Sequence, residues 1–562
     1  MKAEYKKHLP YLVFIAAALF LGFSSAILHV YIFHDDIFLW QEPGSPDKFP
    51  SICSLTFFVG RFIGAYILWP YFLLVKSVTD LNKVRLITSL VIAVCAMGSY
   101  GVILKYLKRP IDAALCAVML FSLPAFEVWT SHAVQSYEVY ALIFVILAVY
   151  SVDRMPLEGR FWKRSAGNAG LITIFWLICS WMVYPSAAVF YWTMAAVLLI
   201  AQWENDSKLL RPKIENVYLP GIMAILLYAC IYKLKKYFIH SYFVNKYQPD
   251  MLTSHVIDKL IWFFRSVIPQ SLNLWNIFPN NSVTAFLSLF LAGAVLITLI
   301  KEWQAGKGRD LGIKISLGIL TVSSLVILSY LPNLLCAVNF NPYRCGAGLT
   351  ALFIFFLVWA LRTYSQYIPG SARANVITLI LAVVCAWGVY RCYDNIDRFR
   401  AKPSHLEYSF IRDSIKNFHG NIKEIYLIPP RASDLYHYYD EFGVSTFSFD
   451  YYSNVVNLIN AYIVDASAQN GMEWTGFKRI ASPEELKLTG PDFYWNNSTY
   501  KYSFAGKTSD NKTIHPFLEL KISVSESKNA SLAASTLVID MNDLYRPLKE
   551  IMGHDQAKSF NF

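Results

Sequence analysis

Charge is what this sequence has least of: Asp, Glu, Lys and Arg make up 16% of its 562 residues, against roughly 25% in a soluble chain. A surface so poor in charge cannot all face water. Neither a P-loop sequence nor a GxGxxG at a strand–helix junction occurs, so neither an ATP-driven pump nor a nucleotide-sugar Rossmann enzyme has support. The nine cysteines are scattered and no CxxC occurs, which argues against a cysteine-based metal site. Cys95, Cys116, Cys179, Cys230 and Cys385 fall inside apolar segments and read as small buried hydrophobes. Cys336 and Cys345 flank one loop, where they can pair. Internal repeats and low-complexity tracts are lacking. Met1–Pro10 is basic, but the apolar run Tyr11–Phe33 offers no small-residue cleavage site, so it reads as a span rather than a removed signal. Charges inside the apolar runs are scarce, which argues against proton- or ion-coupled transport.

What is present is apolar and aromatic. Hydrophobic residues make up 55% of the chain and aromatic ones 16%, suited to a protein with long interfacial belts. The net charge of +11 comes in short clusters between apolar runs. That pattern orients a chain in a bilayer and excludes nucleic acid as the partner. Runs long enough to span, with ~20 residues as the guide, number about eleven. They fall near Tyr11–Phe33, Leu86–Leu104, Ile111–Phe126, Tyr137–Val152, Ala169–Val183, Ser186–Trp203, Val217–Tyr232, Val283–Ile300, Ile315–Leu331, Gly348–Leu361 and Asn375–Tyr390. A further stretch, Thr56–Val75, is interrupted by Gly60, Arg61, Gly64 and Pro70 and reads as an amphipathic helix lying on the membrane surface. With Lys2, Lys6 and Lys7 inside, this choice collects Lys105, Lys108 and Arg109, then Arg154 to Arg164, Lys208 to Lys213, Lys301 to Lys314, and Arg362 with Arg373 on the cytoplasmic side. The opposite short loops around Trp129, Tyr184 and Pro342 hold almost no Lys or Arg, as the positive-inside rule requires.

The expected fold is an α-helical polytopic membrane domain over residues 1–393, with the interfacial helix at about 56–75 and a long outer loop at about 233–281. From about Asp394 charged residues rise and apolar runs shorten to strand length, at Glu424–Pro429, Leu518–Ser523 and Thr536–Ile539. Helical patterns such as Leu406–Phe418 alternate with them, so residues 394–562 are expected to form a soluble α/β domain on the outer, periplasmic face.

Several constellations on that face can carry chemistry. His34-Asp35-Asp36 directly follows the first span, in a loop expected to be hydrated. Paired carboxylates can act as a general base on a hydroxyl or hold a divalent cation, or simply be solvated. Arg61 can snorkel to headgroups or grip a phosphate with its planar fork. Arg344, in Asn341-Pro342-Tyr343-Arg344, is the lone Arg of its outer loop, and it reads equally as helix anchor or ligand. Lys233, Lys235 and Lys236 end the seventh span on the side where basic residues are disfavoured, which reads either as tolerance in a long loop or as attraction to a lipid phosphate, the second favoured by the other features of that face. The stretch His255–Trp275 beyond them looks amphipathic and reads as lying along the bilayer. Glu127, His132 and Glu138 lie among Trp129, Tyr137 and Tyr140, as in a sugar site where CH groups stack and carboxylates bind hydroxyls, or else in an aromatic belt.

Asp35-Asp36, Gly60-Arg61, Leu123-Pro124-Ala125-Phe126-Glu127 and Tyr343-Arg344, in this order among the spans, resemble the GT-C superfamily of membrane glycosyltransferases, and most closely the bacterial serotype-converting O-antigen glucosyltransferases. The resemblance covers roughly residues 1–390. It departs at Leu39 and Trp40, where an Arg is usual, and at Phe62, where Pro often follows Gly-Arg. It implies an inner-membrane enzyme that moves a sugar, glucose in the nearest group, from polyprenyl phosphate to a glycan acceptor such as the O-antigen of lipopolysaccharide. Asp35 or Asp36 would deprotonate the acceptor, and Arg61, Arg344 and the lysines would hold the donor phosphate. His34, Glu127, His132, Glu138 and Tyr343 would line the sugar and acceptor site. A single displacement inverts the anomeric centre. No cofactor is required, since the activated lipid supplies the leaving group, although the Asp pair can bind a divalent cation. The alternatives are a GT-C transferase acting on protein or lipid A, and a flippase or ligase for lipid-linked glycans.

Overall fold

The computed structural model of the chain describes residues 2–32, 50–155, 164–205, 210–238, 255–275, 280–304, 310–337, 343–417, 424–428 and 536–540, with Asp36, Leu39, Thr253, Asn339, Tyr462 and Asp465. Among the described residues, eight helices are long and apolar enough to cross a membrane, and a bent pair counted as one span makes nine. The chain is a helical, multi-pass membrane protein. Leucines on these helices stand bare on the outer surface: Leu21 is 64% exposed, Leu289 74% and Leu379 65%. In water such a surface would drive aggregation; against acyl chains it costs nothing.

The elements that matter for the site are α1 (Lys2–Leu28), α2 (Ser51–Phe58), α3 (Phe62–Leu74), α4 (Leu81–Leu107), α5 (Pro110–Phe121), α6 (Pro124–Ser131), α7 (Tyr140–Asp153), α8 (Arg164–Val183), α9 (Phe190–Asn205), α10 (Leu210–Phe238), α11 (Val256–Trp262), α12 (Asn280–Gln304), α13 (Asp310–Leu328), α14 (Ala347–Ser365), α15 (Gly370–Ile396) and α16 (Lys402–Asn417). Helix α1 packs on α4, α5 and α15, while α7 packs on α8 and α9 on α14. Local chemistry sets several boundaries. Lys108 adopts a left-handed conformation and stops α4. Pro110 begins α5 at a position where its missing N–H costs no bond. Pro124 does the same for α6, so the apolar run Ile111–Phe126 is not one straight span but α5 and α6 bent by 60°.

The interfacial segment is broken too. Helices α2 and α3 are separated by a turn at Gly60, whose φ is +91°. A Cβ on Gly60 would lie 2.6 Å from the Tyr232 ring, so only glycine fits beneath α10 there. Helix α3 contains no charged residue, so it is apolar all round rather than amphipathic as expected. Among the cysteines of the apolar runs, Cys230 is exposed and Cys179 half-buried, so neither is the fully buried hydrophobe expected. Cys336 and Cys345 are both free thiols.

No break separates the last span from the chain beyond it. Helix α15 continues past residue 393 to Ile396, runs through one wide turn at Asp397–Ala401, and passes directly into α16. The compositional boundary at 394 thus lies inside a helix. Farther on, Glu424–Ile428 (β1) and Thr536–Asp540 (β2) pair in parallel. Apart from Tyr462 and Asp465, the remaining residues of the expected α/β domain, its third strand at Leu518–Ser523 included, lie outside the described residues.

Candidate functional site

One end of the bundle gathers most of the buried charge. The residue that sequence reasoning passed over is Arg85, one turn into α4 and fully buried. Its Nη2 donates to Asp36 Oδ2 at 2.8 Å and to the Tyr31 carbonyl at 2.9 Å. Its Nε donates to the Ser131 carbonyl at 3.3 Å, and the guanidinium lies 3.5 Å above the Tyr31 ring. The Val134 N–H donates to Asp36 Oδ1 at 3.0 Å. Asp36 is therefore not the hydrated loop carboxylate expected: it is wholly buried, and each of its oxygens accepts a bond from the frame. Burial raises the Tyr31 phenol to about 12 despite Arg85, and its hydroxyl donates to the Ser131 carbonyl at 3.2 Å. His34 and Asp35 lie outside the described residues.

Ser131 also receives Arg400, which sits beyond the last span: Nη1 donates to Ser131 Oγ at 2.6 Å. Burial pulls the Arg400 guanidinium down to about 10, a value at which it still carries its charge at neutral pH. Nearby, Asn395 Nδ2 donates to both oxygens of buried Glu127, at 3.2 and 3.4 Å.

A second arginine centre adjoins this one through the short turn Ala133–Val139. Arg61 Nη1 donates to Tyr137 Oη at 2.7 Å and to Glu138 Oε1 at 3.3 Å, with the guanidinium 4.5 Å from the Tyr184 ring centre. Trp129 Nε1 holds the other Glu138 oxygen at 2.7 Å. Glu138 is 2% exposed and Arg61 29%, so the arginine keeps an open side. Burial opposes the Arg61 charge, but Tyr137, Glu138 and Tyr184 more than offset it and hold its pKa above the ordinary arginine value. Arg344 lies in the turn that opens α14, within electrostatic reach of Tyr184, Glu138 and Arg61. Its Nε is buried without a hydrogen-bond partner.

The expected residues thus come together unequally. Arg61, Glu138 and Arg344 share one centre, and Glu127 and Asp36 join it through the Glu127–Val139 stretch. Tyr343 is half-buried beside Arg344, and His132, which is buried, ends α6. Tyr140 instead shares a hydrogen bond with Tyr71 at 2.8 Å. Lys235 is buried with its ammonium 5.9 Å from the Phe58 ring and 5.4 Å from the Tyr232 ring, beside the Gly60 turn and not free in a loop. Lys233 is exposed, and the side chain of Lys236 lies outside the described ones. Four guanidinium groups (Arg61, Arg85, Arg344, Arg400) against three carboxylates (Asp36, Glu127, Glu138) leave these seven residues with a surplus of positive charge. Such a surplus at partly desolvated arginines suits a phosphate. Among the described residues, no group of three or more His, Cys, Asp or Glu could hold a metal ion.

Arg85 stood directly before the expected span Leu86–Leu104 and read as its flanking charge; in the structure it lies one turn inside α4, where an arginine is a functional candidate by position. Arg400 carried no local signal, because its partner Ser131 is remote in sequence. No protein-family model and no curated protein matches the chain.

Proposed function

We propose that the chain is an inverting membrane glycosyltransferase that moves a sugar from a polyprenyl-phosphate carrier to a glycan acceptor. The observation that carries this reading is the partly exposed Arg61 beside Arg344, whose Nε has no protein partner, within a cluster that is cationic overall. Fixed guanidinium groups at a partly desolvated site stabilise the charge that grows on a departing phosphate. On this reading Asp35 deprotonates the acceptor hydroxyl as it attacks the anomeric carbon and polyprenyl phosphate leaves, since both oxygens of Asp36 are already held by Arg85 and the Val134 N–H. Glucose as the sugar and O-antigen as the acceptor rest on the resemblance alone.

The orientation belongs to the same proposal. Arg85 and Lys105 lie on α4 some 30 Å apart at 1.5 Å per residue. At the Lys105 end, Asp153 accepts from Lys105 and lies 3.8 Å from Lys213, and Arg109 bonds Thr378 at 2.9 Å. The concentration of basic residues there supports a cytoplasmic assignment for that end and a periplasmic one for the Asp36–Arg61 end. The bent pair α5–α6 and the shorter apolar helices within α8 and α13 complete a count of about eleven spans in the inner membrane. On this reading residues 394–562 form a periplasmic α/β domain, for which the parallel pair of β1 and β2 is the support. The test is transfer of labelled sugar from a synthetic polyprenyl-phosphate donor to envelope glycan by purified protein in nanodiscs. Transfer that falls at least ~10² in Asp35→Asn supports the reading. Transfer unchanged in that variant, or absent with every donor sugar, refutes it.

A further inference from the structure

Residues 29–32, which follow α1, have little structure of their own, yet the backbone of residues 30–32 is held group by group. The Val30 carbonyl lies 2.9 Å from His405 Nδ1, the Tyr31 carbonyl takes Arg85, and Ile32 is gripped from both sides by one hydroxyl. The Ile32 N–H donates to Tyr462 Oη at 2.9 Å, and that hydroxyl lies 3.0 Å from the Ile32 carbonyl and 3.3 Å from the Ser404 carbonyl. Just upstream, Ser25 Oγ donates to Asp397 Oδ1 at 2.7 Å, and His29 Nε2 lies 3.2 Å from the same oxygen. A second grip holds the start of α4, the helix that carries Arg85. There the Val78 N–H donates to Asp465 Oδ1 at 3.2 Å, while Tyr408 Oη donates to Asp465 Oδ2 at 2.7 Å. Tyr408 and Tyr462 pack against each other with ring centres 5.2 Å apart, and both are buried.

Except for Arg85, every one of these holding groups comes from beyond residue 396. We infer that Tyr462, His405 and Asp465 are positioning residues for the transfer site: the chain after the last span sets the backbone of residues 30–32, and so the placing of Asp36 just beyond it. The inference rests on the proposed function for its kinetic consequence, while the grip itself is independent of it. The buried Tyr462 hydroxyl satisfies its own hydrogen bonds on a backbone 430 residues away, and in doing so ties that backbone to the chain beyond the last span. Positioning of this kind acts on turnover, since a displacement of about 1 Å at the reacting groups can cost on the order of 10²-fold. It leaves the donor phosphate contacts, which lie at the start of α14 and at the Gly60 turn, as they are.

The test uses the full chain with Tyr462→Phe, which removes the hydroxyl and keeps the ring. Hydrogen exchange read by mass spectrometry is expected to quicken about tenfold at the Ile32 amide, the size of one net hydrogen bond lost, with the α4 and α14 cores unchanged. In the transfer assay kcat is expected to fall by at least about tenfold while KM for the donor stays within about twofold and Tm stays near wild type. Asp465→Ala, which removes the acceptor of the Val78 N–H, provides a second measurement, with quickened exchange at Val78 expected. Unchanged exchange at both Ile32 and Val78 would overturn the inference whatever the activity. So would a kcat loss matched by an equal fall in the folded fraction. Quickened exchange in a protein that transfers no sugar would leave the grip standing and remove the transferase reading instead.

Discussion

Asp36 and Arg85 offer the sharpest test of how the site is built. Both are fully buried, and their charged atoms meet at 2.8 Å. At an effective dielectric of about 20 that separation corresponds to a gross attraction of about 6 kcal/mol. Much of it offsets the cost of taking two charges out of water, so the net value of the intact pair is small. Removing one partner is different. Asp36→Asn keeps an acceptor for the Val134 N–H but leaves Arg85 with only the neutral oxygens of Tyr31, Ser131 and Asn82. An uncompensated buried charge of this kind costs about 3–5 kcal/mol. Asp36→Asn is therefore expected to lower stability by that amount, and the double variant Asp36→Asn with Arg85→Gln is expected to recover about half of it. Denaturant unfolding in a mild detergent measures all the corners of the cycle. A single variant within about 1 kcal/mol of wild type would mean that the pair is as weak as a surface salt bridge, and the argument from burial would fail. For assays, this means that lost transfer in Asp36→Asn does not by itself identify a base.

Three further outcomes are expected. Arg61→Ala and Arg344→Ala should each weaken polyprenyl-phosphate binding by at least about tenfold, read by equilibrium binding in nanodiscs, and unchanged affinity in both would return them to anchoring roles. An alkaline phosphatase fused after Phe562 should be active in intact bacterial cells; an inactive fusion would sink the proposed orientation. Burial and the neighbouring His405 hold the His29 imidazole below its usual value against the pull of Asp397, with Lys402 a further cation nearby. The unfolded chain therefore binds the proton first as pH falls through the usual histidine range near about 6.5, so stability should drop on going from about pH 7 to about pH 5. His29→Asn should flatten that dependence, and a slope unchanged by the substitution would assign it to other groups.

Eight of the eleven expected spans stand among the described residues as helices long and apolar enough to cross, because long apolar runs admit few other readings. The break between α5 and α6 was not legible, since the run through Ile111–Phe126 hides a Pro124 that starts a new helix rather than merely kinking the old one. At the site, Arg61, Glu138 and Arg344 were visible as isolated charges among apolar neighbours, although nothing local said that Arg61 and Glu138 bond each other. Asp36 was misjudged as hydrated because an acidic pair after a span looks like a loop, and the guanidinium that buries it stands on another helix. Arg400 and Asn395 were lost for a different reason. Composition changes at 394 and suggests a border, whereas the hydrogen bonds of α15 run on through it. Composition reports what surrounds a segment, not where its helix ends.

The turn at Gly60 has a consequence for the order of manufacture. It becomes complete only when the ring of Tyr232 lies over it, and that residue belongs to α10. At ordinary rates of synthesis of about 5–20 residues per second the two are separated by on the order of ten seconds or more. Through that interval α2 and α3 are already made but have no roof, and Arg61 stands at an unfinished corner. The arginine centre is thus assembled late, from pieces delivered at different times, and a chain halted before α10 is a membrane protein without it.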